Sequence, residues 1–102
     1  MSTDREMLEL AAKAAGAHST LKAFKDGIWV QWSPNLRGFT RWDPLTDDGA
    51  RYRLLSKLRG RIDFEICVVR IGNHVCVCWP EDEPDEARAV VRAAAEIGRA
   101  MG

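Results

Sequence analysis

Arg61-Ile62-Asp63-Phe64-Glu65-Ile66-Cys67-Val68-Val69-Arg70-Ile71-Gly72-Asn73-His74-Val75-Cys76-Val77-Cys78-Trp79 is the stretch whose pairing decides the fold. Apolar residues flank Gly72-Asn73 on both sides, which predicts a β-hairpin with that pair as its two-residue turn. In this register Cys67 faces Cys78, Val69 faces Cys76 and Ile66 faces Trp79. One face then carries Ile62, Phe64, Ile66 and Val68 with Val75, Val77 and Trp79. The other carries Cys67, Val69, Cys76 and Cys78. Both faces are apolar near the turn, so each needs a cover. The expected fold is α+β: a three-layer α-β-α sandwich with a small, mainly antiparallel sheet and helices on both faces.

The helices that would supply the cover are legible on either side. Upstream, Thr46-Asp47-Asp48 opens a helix, with Thr46 as the cap and two aspartates at the positive end of its dipole. Ala50, Leu54, Leu55 and Leu58 form its apolar stripe, and Gly60 is its expected stop. Downstream, Pro84 near the first helical position, followed by the acids Asp85 and Glu86, begins a helix whose stripe is Ala87, Val90, Val91, Ala94, Gly98 and Met101. Its small residues, Ala93 to Ala95 and Gly98, permit close approach to a sheet. At the N-terminus, Thr3-Asp4-Arg5-Glu6 fits a capping box, followed by Met7, Leu10, Ala11 and Ala14, with Gly16 as the stop. Between these helices Ile28, Val30 and Trp32 alternate with Trp29 and Gln31, the period of a half-buried strand. A short strand within Ser19–Phe24 is its expected partner, Asp26-Gly27 the turn before it, and Ser33-Pro34-Asn35 its end. Residues 37–40 read as loop.

Size and charge narrow the function. With 102 residues, 46% apolar and 29% charged, the chain reads as one globular domain, 1–102. Fifteen basic against fifteen acidic residues give a formal net charge of zero, which excludes a strongly basic nucleic-acid binder or a polybasic membrane binder as the default. The longest unbroken apolar run is Val75 to Trp79, far short of a bilayer span. The opening Met1–Glu6 has neither a basic start nor an apolar stretch, so no signal peptide is expected and the location is cytoplasmic. An odd cysteine count without a secretion signal agrees with free thiols.

Few constellations carry chemistry. His74, Cys76 and Cys78 share one face of the expected hairpin beside Cys67, but alternate strand positions stand about 6–7 Å apart and do not converge as zinc requires. Buried, inert thiols are the favoured reading over a metal site, a Cys67–Cys78 disulfide or a thiol nucleophile. Asp43, Asp47 and Asp48 suit a loop and helix cap better than a Mg²⁺ or Ca²⁺ site. Arg37 to Arg61 holds seven Lys/Arg against three Asp, a local excess of +4. Arg51, Arg53, Lys57 and Arg59 with nearby Trp42 and Tyr52 offer a nucleic-acid reading, against the commoner one of a solvated helix face. The run Glu81–Glu86, five acids in six positions, balances the charge and reads as a solubilising loop rather than a dock for a basic partner. Of Trp29, Trp32, Trp42 and Trp79, Trp29 and Trp42 lie outside the best core stripes and are expected to be exposed.

Trp42-Asp43-Pro44-Leu45-Thr46-Asp47-Asp48-Gly49, with Arg53-Leu54 and Lys57-Leu58 after it, resembles a motif of small uncharacterised phage and prophage proteins, the phage ABA sandwich domain family. The tail Val91-Arg92-Ala93-Ala94-Ala95-Glu96-Ile97-Gly98 and the opening Glu9-Leu10-Ala11-Ala12-Lys13-Ala14-Ala15-Gly16 are similar too, so the resemblance spans most of the chain. Members often carry Asn where Asp43 stands, and Asp-Ala-Leu where Ala50-Arg51-Tyr52 stands. The resemblance implies a sheet between helical layers and a phage or prophage origin in a bacterial host. The family has no established activity, so no catalytic residue is carried over.

The expected function is that of a non-enzymatic accessory protein that binds a host or phage protein, without cofactor or metal. Its candidate surface is Trp29, Trp42, Asp43, Asp47, Asp48, Arg51, Arg53 and Lys57. The alternatives are a nucleic-acid module using the basic helix 50–60 and a small Cys/His metal protein. A homo-oligomer is compatible with the tryptophan count.

Overall fold

The computed structural model describes residues 4–22, 28–34, 38–73 and 75–101. Its elements are α1 (Asp4–Ala14), β1 (Ser19–Lys22), β2 (Ile28–Gln31), β3 (Thr40–Trp42), α2 (Asp48–Lys57), β4 (Arg61–Asp63), β5 (Val68–Ile71), β6 (Val75–Cys78) and α3 (Glu86–Ala100). The α+β class is as the sequence predicts. The strands, however, form two antiparallel sheets, β1-β2-β3 and β4-β5-β6, rather than one.

The stretch 61–79 contains two hairpins where one was expected. After Asp63 the chain reverses, because the Asp63 carboxylate accepts hydrogen bonds from the amides of Glu65 (3.0 Å) and Ile66 (3.4 Å). Cys67 completes the reversal at a φ of 55°. Strand β5 then pairs with β6 one residue out of the expected register: Val68 faces Cys78, Val69 faces Val77, Arg70 faces Cys76 and Ile71 faces Val75. A one-residue slip moves every side chain to the other face. In the expected register Arg70 would share a face with Val75 and Val77, which buries an unpaired guanidinium. The observed register puts Ile62, Val69, Ile71, Val75 and Val77 on one face and leaves Arg70 exposed on the other beside exposed Cys76. That second face is mixed, since Val68 on it is buried and Cys78 half-buried, so the argument from two fully apolar faces does not hold for this sheet.

The first sheet follows its alternation. Ile28 and Val30 are fully buried, and Trp29 between them is 42% exposed. The expected short partner strand is present as β1, antiparallel to β2, with Thr20 facing Val30. Phe24, the Asp26-Gly27 turn and Arg37 lie outside the described residues. Thr40, read as loop, instead begins β3, which places Trp42 opposite Ile28. Two strand-favouring residues, Thr40 and Trp42, can pair with the open edge of β2.

Each sheet has its own helix: α1 packs on β1 and β2, α3 on β5 and β6, and the two helices pack on each other. On α1 the buried set is Met7, Leu8, Ala11 and Ala12, so the buried face is turned towards Leu8 and Ala12 while the expected Leu10 and Ala14 are only half-buried, and Gly16 ends the helix at a φ of 88°. Thr3 lies outside the described residues. On α3 Ala89, Val90, Val91, Ala93, Ala94, Ala95 and Gly98 are buried, but Met101 is 56% exposed, so the stripe stops short of the C-terminus. The small residues serve the helix pair as well as the sheet: a Cβ on Gly98 would lie 1.9 Å from the Leu10 carbonyl oxygen.

Both later helices are capped downstream of the expected position, α2 by one residue and α3 by two. Asp47, not Thr46, caps α2, accepting from the amides of Gly49 (2.9 Å) and Ala50 (3.3 Å). Asp85 caps α3 through the Arg88 amide (2.9 Å), which leaves Pro84 ahead of the cap. Past α2, Arg59 takes the left-handed conformation expected of Gly60, at a φ of 54°. Gly60 is needed for space, because a Cβ there would stand 2.4 Å from Leu55 Cδ1. One hydrophobic cluster joins Ile28, Val30 and Trp42 of the first sheet, Leu54 and Leu55 of α2, Val69, Ile71 and Val77 of the second sheet, and the buried faces of α1 and α3.

Candidate functional site

The spacing of α2 sorts its basic residues. Arg53 and Lys57 are one turn apart and share a side; Arg51 points elsewhere. Arg51 is held inside the molecule: Nη1 donates to the Pro44 carbonyl (3.1 Å), Nη2 pairs with Asp48, and Nε lies 3.4 Å from Glu86. Arg53 and Lys57 instead line a cleft of about 300 Å³ with Trp32, Trp42, Asp47 and Leu54.

The aromatic wall of this cleft comes from the first sheet. Trp32 follows the end of β2 and Trp42 ends β3; their rings meet edge to face, with centroids 5.4 Å apart at 83°. The Lys57 ammonium sits 5.8 Å from the centre of the Trp32 ring, a favourable cation–π placement. It also lies close to Gly16, since a Cβ there would be 3.5 Å from Nζ. This sets a cation near the negative end of α1, where the helix dipole favours it. Arg53 makes no ion pair among the described residues, and Asp47 on the cleft wall is engaged in capping.

Of the candidate surface residues, the cleft thus gathers Trp42, Asp47, Arg53 and Lys57. Trp42 is 8% exposed and forms part of the wall, contrary to the expectation that it is exposed. The expected exposure of Trp29 is observed, but it lies on the opposite face of β2. Asp43 is buried and structural: its carboxylate accepts from the Leu45 amide (3.1 Å) and the Thr46 hydroxyl (2.7 Å). Asp48 is exposed and pairs with Arg51. The three aspartates therefore act as turn, cap and ion pair, the loop-and-cap reading of the sequence. Trp32 and Arg41, which also lines the cleft, were absent from the candidate surface. The i, i+4 spacing of Arg53 and Lys57 was the available signal; the meeting of Trp32 and Trp42 requires the β2–β3 register.

The other charged and thiol groups are arranged differently from expectation. Glu83 accepts from Arg88 Nε and Arg92 Nη1, each at 3.2 Å, and Arg88 reaches Asp4 at 2.7 Å. The hydrogen bond to Asp4 is the main reason the Arg88 pKa is raised. Asp82 accepts from the Cys78 amide at 2.9 Å. With Asp85 as cap and Glu86 on Arg51, most of the acidic run binds its own chain. All three cysteines are free, but none is buried: Cys67 and Cys78 are half-buried and Cys76 is exposed. The Cys78 pKa is raised by burial first, then by the charge of Cys76 and of Asp82, so the thiol form is favoured over the nucleophilic thiolate. His74 lies outside the described residues. Among the described residues no three His, Cys, Asp or Glu side chains are gathered as metal ligands, and no helix is long and apolar enough to cross a membrane.

The chain matches no family model, no curated protein and no solved structure.

Proposed function

We propose that this chain is a non-enzymatic accessory module that binds a protein through the cleft between α2 and the β2–β3 end of the first sheet. The segment it takes carries a carboxylate beside an aliphatic or aromatic side chain. The observation that carries this reading is the placement of Arg53 and Lys57 beside the Trp32–Trp42 pair, while the neighbouring Arg51 is neutralised from within. A cation at an apolar wall holds an acidic group more strongly than the same cation in open water, because water screens the pair less. Stacked nucleobases suit the wall less well. Trp42 is buried, and Lys57 already lies over the Trp32 ring. The phage or prophage origin and the cytoplasm of a bacterial host belong to the same proposal and rest on the sequence resemblance.

The test is a peptide array in which Asp or Glu precedes Phe, Trp or Leu, read alongside oligonucleotides on the same protein. Peptide binding should shift the Trp32 indole N–H resonance and disappear in Arg53→Glu. Oligonucleotide binding that falls steeply with salt, with no peptide bound, would instead support the nucleic-acid reading.

A further inference from the structure

Strand β4 is an outer strand of its sheet and carries charges of both signs along one exposed face. Arg61 faces Arg70 directly across the β4–β5 pair, and both are exposed. Like charges directly opposite each other in a sheet are destabilising. Arg61 makes no ion pair among the described residues. Asp63, two residues along on the same face, uses Oδ1 to hold the following turn. That turn displays two large apolar side chains, Phe64 at 68% and Ile66 at 60% exposure. It does not dangle: Phe64 packs edge to face on Trp79, with centroids 6.1 Å apart.

We infer that the β4 edge is a self-association surface and that its occupant is β4 of a second copy, antiparallel about a twofold axis through Ile62. That axis sets Arg61 of each copy against Asp63 of the other, so two charges that make no ion pair among the described residues each gain a directly opposed partner. Ile62 meets its own copy on the apolar face. Edge strands are usually kept apart by like or inward-pointing charge. Here the signs alternate, and a twofold turns that alternation into a match. Beyond the strand, the same axis carries the Phe64–Glu65 turn of each copy towards Arg59–Gly60 of the other. The opposite-charge match continues there, with Glu65 of each copy brought towards Arg59 of the other. A surface that must match itself is what a symmetric dimer requires. Only a second copy is guaranteed to bring both the Asp and the Arg at this spacing. The inference stands on the second sheet alone and does not depend on the cleft.

Charge exchange with mixing tests it, followed by sedimentation velocity over a dilution series. The unaltered chain should show a reversible rise to twice its mass at the concentrated end. Arg61→Glu alone and Asp63→Lys alone should each weaken association by about tenfold or more, because each sets two like-charge pairs across the axis. Mixed in equal amounts, the two variants should form a dimer again, since one then supplies both acids and the other both bases. Asp63→Lys also removes the turn's hydrogen bonds, so its fold is checked by circular dichroism. If it fails to fold, Ile62→Cys serves in its place. Directly opposed antiparallel residues lie about 4.5–5.5 Å apart at Cα, within disulfide range. Mild oxidation should then give a 62–62 cross-link, identified by peptide mapping. A chain that stays monomeric at every concentration overturns the inference. So does a dimer that is indifferent to Arg61→Glu, or single variants that remain monomeric when mixed although both are folded.

Discussion

Replacing Gly98 by Ala tests the packing of α1 on α3 directly. Gly98 lies inside α3, where Ala is the better helix former by about 1 kcal/mol, so local propensity alone predicts a more stable protein. The packing predicts the reverse. The added Cβ would lie 1.9 Å from the Leu10 carbonyl oxygen and 2.7 Å from its carbon. Close carbon–oxygen contacts run at about 3.3 Å or more, so the helices must separate by roughly 1.4 Å at this point. The obstacle is backbone within α1, which cannot rotate away as a side chain can. A gap of 0.5–1 Å already forfeits about a quarter to a half of the dispersion attraction between facing atoms. Here the facing atoms include Ala11, Ala94 and Ala95, all buried in the same cluster. Overpacking typically costs about 1–3 kcal/mol, and rigid backbone on both sides places this site at or above the upper end. After subtraction of the propensity gain, Gly98→Ala should lose about 2 kcal/mol. For a domain near 100 residues that is a fall of roughly 8–16 °C in Tm. Thermal unfolding followed by circular dichroism, with calorimetry to check two-state behaviour, measures it. Gly98→Val should fall further. A Gly98→Ala protein that melts at the same temperature or higher would show that the helices are not in this contact.

Three other perturbations follow from the local geometry. Asp47→Ala removes the acceptor of two amide hydrogen bonds at the start of α2 and should cost about 1 kcal/mol, read as a lower urea midpoint at an unchanged m-value. Arg59→Gly should add up to about 1 kcal/mol of stability, read as a higher midpoint, because the left-handed backbone at φ 54° suits glycine. Iodoacetamide should modify exposed Cys76 before half-buried Cys78, with the Cys78 reaction requiring a higher pH, as mass spectrometry of the two sites would report. The same raised pKa sets a sign for stability. The folded state holds the Cys78 proton more tightly than the unfolded state does, so its contribution is intact below the ordinary thiol range and is lost as pH rises through the raised value.

The elements with strong periods were legible in the sequence. The stripe of α3 up to Gly98 and the Ile28–Trp29–Val30 alternation specify their faces without tertiary help, because one face of each is apolar over several turns or pleats, whereas on α1 only Met7 and Ala11 of the expected stripe are fully buried. The second sheet was harder. Its register depends on where Arg70 can be solvated, which is a property of the assembled pair. Its extra reversal depends on Cys67 at positive φ, a conformation for which cysteine gives no signal. The helix starts were displaced by one residue at α2 and two at α3 because Thr46 and Asp47, or Pro84 and Asp85, are both good helix-start residues, and only the hydrogen bonds choose between them. Half of the candidate surface came together for a similar reason. Charge and tryptophan content marked residues 42–57, but which side chains face one another was decided by the pairing of β2 with β3.

The formal charge of zero conceals an uneven distribution, and the structure gives its cause. The acids of the 82–86 run are turned inward on the chain: Glu83 clamps Arg88 and Arg92, Asp82 and Asp85 bind backbone amides, and Glu86 meets Arg51. Those contacts neutralise cations on α3 and on one side of α2. They do not reach Arg53 and Lys57, which look across the cleft at an aromatic wall and at a carboxylate already engaged in capping. At physiological ionic strength charges are screened over about 8 Å, so a ligand at the cleft responds to these two cations more than to acids on distant elements. A zero net charge therefore supplies no overall pull towards a polyanion but leaves short-range recognition of a carboxylate open. That distinction separates the protein-binding reading from the nucleic-acid one. Salt should weaken the first only modestly and the second steeply.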